Sequence, residues 1–212
     1  MVAAEASGDL LGAHLIAALK ARRPELRFSG IGGAKMISQG FESHVPMDKL
    51  GVRGYAEVLR HYREIMGIRR QISDRRLRER PAVFIGGDSS DFNLDLERTL
   101  KDAGIPAIQY VSPSIWAWRG WRTRRIVRSV THLLALFPFE PALYEKAGIP
   151  VTYVGHPLAD VIPMEPDKAK ARTDLRVPAG SRVVALLPGS RRSELHYMAD
   201  LFVLTARRLL QD

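Results

Sequence analysis

One repeated pattern constrains this chain more than any other. A short, unbroken apolar run ends in a turn of Gly, Ser, Asp or Pro, and a helical stretch follows. The pattern occurs at Ala82–Ile85 before Gly86-Gly87-Asp88, at Ala107–Val111 before Ser112-Pro113-Ser114, at Leu133–Phe137, and at Val151–Val154 before Gly155-His156-Pro157. Leu26–Ile31, closed by Gly32-Gly33, and a stub at Val2–Ala4 read the same way. Runs without polar alternation suit strands buried on both faces, and helices between them suit parallel connections. The expected fold class is therefore α/β, a parallel sheet with helices on both faces. Helices are expected from Ser7-Gly8-Asp9 to about Ala21, over Ala34–Gln39, over Tyr55–Arg80 and from about Asn93 to Ala103.

After Gly155-His156-Pro157 the texture changes. Ile162–Gly180 is rich in Pro, Lys and Asp and reads as a crossover. Arg182–Leu187 then reads as a new strand, followed by Pro188-Gly189-Ser190 and a helix from about Arg191. The expected organisation is a first domain over 1–165, a linker over 166–180, and over 181–212 the first strand and helix of an incomplete second domain. Met1–Glu5 reads as the end of a strand, so either a missing N-terminal stretch or a misassigned start is expected.

Charge narrows the partners. The 212 residues carry 32 Lys and Arg against 23 Asp and Glu, a net +9. That balance favours an anionic partner, whether nucleic acid, phospholipid surface or phosphorylated substrate. Cysteine is absent, which excludes disulfides, thiolate metal sites and a Cys nucleophile. No apolar run reaches the roughly 18 residues needed to span a bilayer.

In open parallel sheets ligands bind beyond the carboxyl ends of the strands, and the unusual residues gather at those predicted ends. Glu5, Ser7, Gly8 and Asp9 follow the stub, and Gly87, Asp88, Ser89 and Ser90 follow a later strand. Asp88 suits a general base or a helix N-cap, though Ser90 or Asp91 serves equally as a cap. Gly189-Ser190-Arg191 offers backbone N–H groups to a phosphate, or is an ordinary capping turn. An Arg in a first helical turn opposes the helix dipole unless an anion sits there. His156 reads as catalytic or as a satisfied turn histidine. Trp116, Trp118 and Trp121, beside Arg119, Arg122, Arg124, Arg125 and Arg128, suit stacking on sugars or bases, anchoring at a membrane interface and phosphate contact, or simply fill a crevice. Along Tyr55–Arg80, Val58, Leu59, Tyr62, Ile65 and Met66 interleave with Arg60, Arg63, Arg69 and Arg70. That mixture fits a helix lying in a membrane interface, or a core helix with a basic outer face. The histidines show no metal spacing, and neither a Walker A loop nor a GxGxxG is present. No metal is expected.

Taken in order, several segments resemble the lipid-A-disaccharide synthase family. They are Ala4-Glu5-Ala6-Ser7-Gly8-Asp9; Glu57-Val58-Leu59; Gly87-Asp88 through Asp91-Phe92-Asn93; and Tyr110-Val111-Ser112-Pro113-Ser114-Ile115-Trp116-Ala117-Trp118. Phe137-Pro138-Phe139-Glu140, Val154-Gly155-His156-Pro157 and Leu187-Pro188-Gly189-Ser190-Arg191 complete the set. The resemblance implies the N-terminal half of a GT-B fold, a Rossmann-like domain that faces a second one across a cleft. It implies an inverting transfer of diacylglucosamine from a UDP donor to diacylglucosamine 1-phosphate, giving a β-1,6 disaccharide and UDP with no cofactor. The family enzyme is nearly twice this length, so this stretch alone is expected to be inactive. By position, Asp88 corresponds to the family's candidate catalytic carboxylate and Arg191 to a basic residue near the donor phosphates. Glu5, Ser7, Gly8, Asp9, Asn93, Ser112, Trp116, Trp118, His156, Gly189 and Ser190 are the expected substrate-binding residues. The implied setting is the cytoplasmic face of the inner membrane in Gram-negative bacteria, on an anionic lipid surface, with a possible homodimer. Three positions depart from the family pattern: Ala4 stands for Gly, Gly87 for Ile and Ser90 for Pro. The last two flank Asp88 and bear on its placement.

Two other readings compete. One is another GT-B enzyme on a UDP-sugar, such as a UDP-sugar 2-epimerase, which needs no acyl groove. The other is a non-catalytic module for acylated sugar phosphates or anionic lipid. Nucleic-acid binding rests on charge alone and is not expected.

Overall fold

The computed structural model describes residues 1–50, 55–113, 122–189 and 192–210, with side chains throughout except at 55–61 and 192–193. The chain divides into two compact units, Met1–Pro163 and Met164–Asp212.

The first unit is a parallel sheet between helices. Its strands are β1 (Phe28–Ile31), β2 (Phe41–Val45), β3 (Phe84–Gly86), β4 (Ala107–Tyr110), β5 (His132–Ala135) and β6 (Val151–Tyr153). The helices are α1 (Ala6–Arg22), α2 (Ala34–Ser38), α3 (Tyr55–Glu79), α4 (Ser90–Asp102), α5 (Thr123–Ser129), α6 (Pro141–Glu145) and α7 (Leu158–Val161). β2 pairs with β1, and β3, β4, β5 and β6 pair in that order, all parallel. The stub joins the two sets, because Val2 bridges Ile31 on one side and Gly86 on the other. Val2 N–H donates to Ile85 O at 3.0 Å, and Gly87 N–H donates back to Val2 O at 2.9 Å. Two residues of strand thus occupy the middle of the sheet, in the order β2, β1, stub, β3, β4, β5, β6. From the stub the chain winds outward one way to β2, crosses back through α3, and winds outward the other way. The reversal falls between the stub and β3.

Side-chain alternation about the stub shows why both faces are covered. Val2 and Ala4 point into a core with Ile68 and Ile72 of α3 and Phe92, Leu96 and Leu100 of α4. Ala3, between them, points the other way, to Ala13 and Ile16 of α1 and Met36 of α2. β2 was not anticipated. Its sequence, Phe-Glu-Ser-His-Val, buries only the two ends, as an edge strand does. β6 is an edge among the described strands too, with Tyr153 and Val154 about half exposed.

In the second unit, α8 (Lys168–Asp174) lies inside the expected linker. Its N-cap Asp167 accepts from Lys170 N–H at 2.9 Å. α9 (Arg192–Leu209) begins one residue after the expected start. The expected strand at Arg182–Leu187 is not formed: residues 181–189 carry no regular secondary structure. A strand needs a neighbour to take its N–H and C=O groups, and among the described residues this unit contains none.

Candidate active site

The polar residues converge at the reversal point. β3 ends at Gly86, and Gly87 and Asp88 follow beside the exit of the stub. Asp88 Oδ1 accepts from Ala4 N–H at 2.7 Å and Oδ2 from Glu5 N–H at 2.8 Å. The carboxylate thus bridges the switch point and receives the chain as it enters α1, a helix N-terminus where negative charge is favoured. Gly8, in the first turn of α1, makes this possible: a Cβ there would overlap the Asp88 carboxyl. From behind, Asn93 Nδ2 donates to Asp88 O at 2.7 Å and to Val2 O at 3.5 Å. Ser89 then turns the chain into α4 in the left-handed region, φ 51° and ψ 55°.

The capping alternative is now resolved differently from either expectation. The α4 N-cap is Ser89, with no side-chain cap bond. Asp91 does not cap; it pairs with the buried Arg122 of the segment leading into α5. Asp95 similarly takes Arg125 at 2.6 Å and Arg69 at 2.5 Å. Burial works against the Asp95 charge, but the hydrogen bonds and charges of Arg125 and Arg69 outweigh it and hold the carboxyl below its usual range. Arg122, Arg125 and Arg69 are therefore committed to α4 carboxylates, leaving Arg124 and Arg128 exposed on α5.

The other predicted residues separate into groups. Asp9 is buried, and it accepts from Gly33, Lys35 and Met36 N–H at 2.9 to 3.0 Å, so it caps α2 across the α1–α2 interface. Glu5 is half-buried and Ser7 exposed at the start of α1. Ser112 is buried: its hydroxyl donates to Glu140 Oε1 at 2.6 Å and lies 3.0 Å from the Tyr144 hydroxyl. Glu140 Oε2 accepts from Leu136 and Phe137 N–H, and Tyr144 donates to Pro113 O at 2.7 Å. Burial pushes the Tyr144 phenol up to about 12, so it stays a donor. This cluster anchors the start of the tryptophan segment to the turn after β5. His156 Nδ1 accepts from Leu158 N–H at 3.2 Å in a local turn. Gly189 has φ +120°, and a Cβ there would crowd Glu194 at 2.6 Å. Trp116, Trp118, Ser190 and Arg191 lie outside the described residues, as do the side chains of Val58 and Leu59. Of the remaining α3 positions, Tyr62 is exposed, Met66 is half-buried with Arg69 against its sulfur, and Ile65 packs on the core.

Sequence reasoning missed Glu97 and Gln109, both fully buried. Glu97 lies one turn beyond Asn93 on the sheet-facing side of α4, against Gly86, whose missing side chain makes the space. Burial pushes its carboxyl up to about 8, so it is mostly neutral at pH 7. The available signal was a stripe: Asn93, Glu97 and Leu100 share the spacing of one helix face. Among the described residues no group of three His, Asp or Glu is placed to hold a metal ion.

A doubly wound parallel sheet with its polar groups at the switch point defines a class, the Rossmann-like α/β domain that takes its ligand beyond the strand ends. Sequence comparison narrows it. The family model for lipid-A-disaccharide synthetase matches residues 1–212, and the chain belongs to that family. It is 57% identical over 212 residues to a lipid-A-disaccharide synthase of Methylobacillus flagellatus, covering all of this chain and 56% of the relative. It is 59% identical over 207 residues to one of Dechloromonas aromatica, covering 98% of this chain and 54% of the relative. The chain thus spans about half the length of the curated relatives it matches.

Proposed function

We propose that a full-length protein carrying this chain is an inverting glycosyltransferase. It joins UDP-2,3-diacylglucosamine to 2,3-diacylglucosamine 1-phosphate, giving the β-1,6 lipid A disaccharide and UDP. The observation that carries this reading, beside family membership, is Asp88 held at the switch point by Ala4 and Glu5 N–H. Asp88 takes the proton of the acceptor hydroxyl as that oxygen attacks the anomeric carbon. The carbon–oxygen bond to UDP breaks on the opposite face, so configuration inverts and no covalent sugar–enzyme intermediate forms. Arg191 and the Gly189-Ser190 turn stabilise the charge growing on departing UDP. On this reading residues 1–165 are the acceptor-side domain, 166–180 the crossover and 181–212 the start of the UDP-sugar domain. Tyr62 and Met66, with Val58 and Leu59, meet an anionic membrane surface on the cytoplasmic side. Net charge supports that assignment, each basic residue near such a surface contributing about 1 kcal/mol. Among the described residues no helix is long and apolar enough to cross a membrane.

The test is direct. The full-length protein, given both substrates dispersed in detergent, should release UDP and form disaccharide, followed by mass spectrometry. UDP release without disaccharide, or an epimerised UDP-sugar, overturns the reading.

A further inference from the structure

The loop that carries Asp88 is also held from beneath. Gln109 is fully buried in β4, in register with Gly86. Its Nε2 donates to Gly87 O by a short bond, to Val111 O at 3.1 Å and to Tyr110 O at 3.5 Å. All three neighbours are carbonyl oxygens, so the amide must turn its nitrogen toward them. One side chain thereby ties the turn after β3 to the turn after β4. Asn93 holds the next carbonyl, that of Asp88, from α4. The two peptides on either side of Asp88 are thus each fixed by a buried amide.

Two observations separate this from ordinary core filling. Among the described residues Gln109 Oε1 has no hydrogen-bond partner. A buried unpartnered oxygen is destabilising, and an apolar side chain of similar volume would avoid it. Stability alone therefore does not favour glutamine here; its donors do. The second is strain. Val111, whose carbonyl Gln109 holds, has φ +81°, a conformation that a β-branched residue adopts only when its surroundings impose it. Val111 leads directly into Ser112 and Pro113, which the Glu140–Tyr144 cluster anchors.

We propose that Gln109 is a positioning residue that locks the Asp88 loop to the Val111–Pro113 turn, setting the carboxylate's place relative to that turn. The proposal rests on Asp88 as the base. The experiment uses the full-length protein with both substrates and compares Asp88→Asn, Gln109→Met, Gln109→Glu and the Asp88→Asn/Gln109→Met double variant. Loss of geometry should cost Gln109→Met about 10- to 100-fold in kcat, with KM changed less than about 2-fold. Residues acting as a unit are not additive, so the same change in the Asp88→Asn background should cost less than about 3-fold. Gln109→Glu keeps one O–H donor while neutral and loses it on ionising, so its kcat should acquire a falling limb as pH rises. Equal losses from Gln109→Met in both backgrounds overturn the proposal and leave Asp88 as base. Near-parental turnover by Asp88→Asn alone overturns the base reading and the proposal with it. Should Gln109→Met not fold, a Gln109→Glu kcat that follows the parent's pH profile overturns the positioning role.

Discussion

Two turns in this molecule are written alike and end differently. Phe84-Ile85 runs into Gly86-Gly87-Asp88 in the first unit, and Leu186-Leu187 into Pro188-Gly189 in the second. Each is an apolar run, a small-residue turn and a helix. In the first, Phe84 is 1% exposed and the turn is gripped by Asn93, Gln109 and the amides of Ala4 and Glu5. In the second, Leu187 is 78% exposed and no strand forms. Nor is the apolar side of the following helix covered: Leu201 and Leu204 are 57% and 59% exposed. Local sequence proposes a strand, and neighbours on both sides are what make one. A site that needs a carboxylate held to a fraction of an ångström can be built only where those neighbours exist.

The largest effect expected is on chemistry: Asp88→Asn in the full-length protein should lose about 10²- to 10⁴-fold in kcat while its thermal melting stays within a few degrees of the parent. Unchanged turnover would strip the first turn of its special status. Stability comes next. Leu100→Ala, in the core behind β3, should cost about 2–5 kcal/mol in urea unfolding. Gly8→Ala pushes a methyl into the Asp88 carboxyl and should cost about 1–3 kcal/mol, with activity falling alongside.

Glu97 supplies a pH-dependent contrast inside the first unit. Its folded value is raised from 4.5 to about 8, so between those limits the folded state binds more protons than the unfolded one. Its contribution is complete below about pH 4.5 and is lost as pH rises through 8. Glu97→Gln should flatten that fall, gaining on the order of 1–3 kcal/mol over the parent at high pH. A parent whose stability does not decline across this window would refute the assignment. The smallest effect belongs to the second unit: in the 212-residue chain Leu204→Ala, 59% exposed, should change stability by less than about 0.5 kcal/mol, and a loss like that of Leu100→Ala would show Leu204 to be packed.

Much of the first unit was readable without coordinates. Val2–Ala4, Ala82–Ile85 and Ala107–Val111 announce themselves because a strand buried on both faces leaves an unbroken apolar run. β2 escaped because its glutamate, serine and histidine look like loop, and only pairing with β1 makes Phe41–Val45 a strand. Asp9 illustrates a different limit. It sits where a ligand-binding carboxylate is expected, yet it is 4% exposed with three amides 24 to 27 residues later on its oxygens, whereas Asp88 is only half-buried. Ser112 is similar: a hydroxyl at a strand end, taken by Glu140.

By itself the sequence determined the class of fold, the strand-end location of Asp88 and the family, because apolar periodicity and ordered motifs are local properties of a chain; that this strand end is the switch point came from the strand order. Only the tertiary structure decided which polar groups are committed to the scaffold and which strand would form. Hydrogen bonds across 24 to 91 residues leave no periodic trace in sequence. A buried polar atom must find its partner wherever the fold brings one.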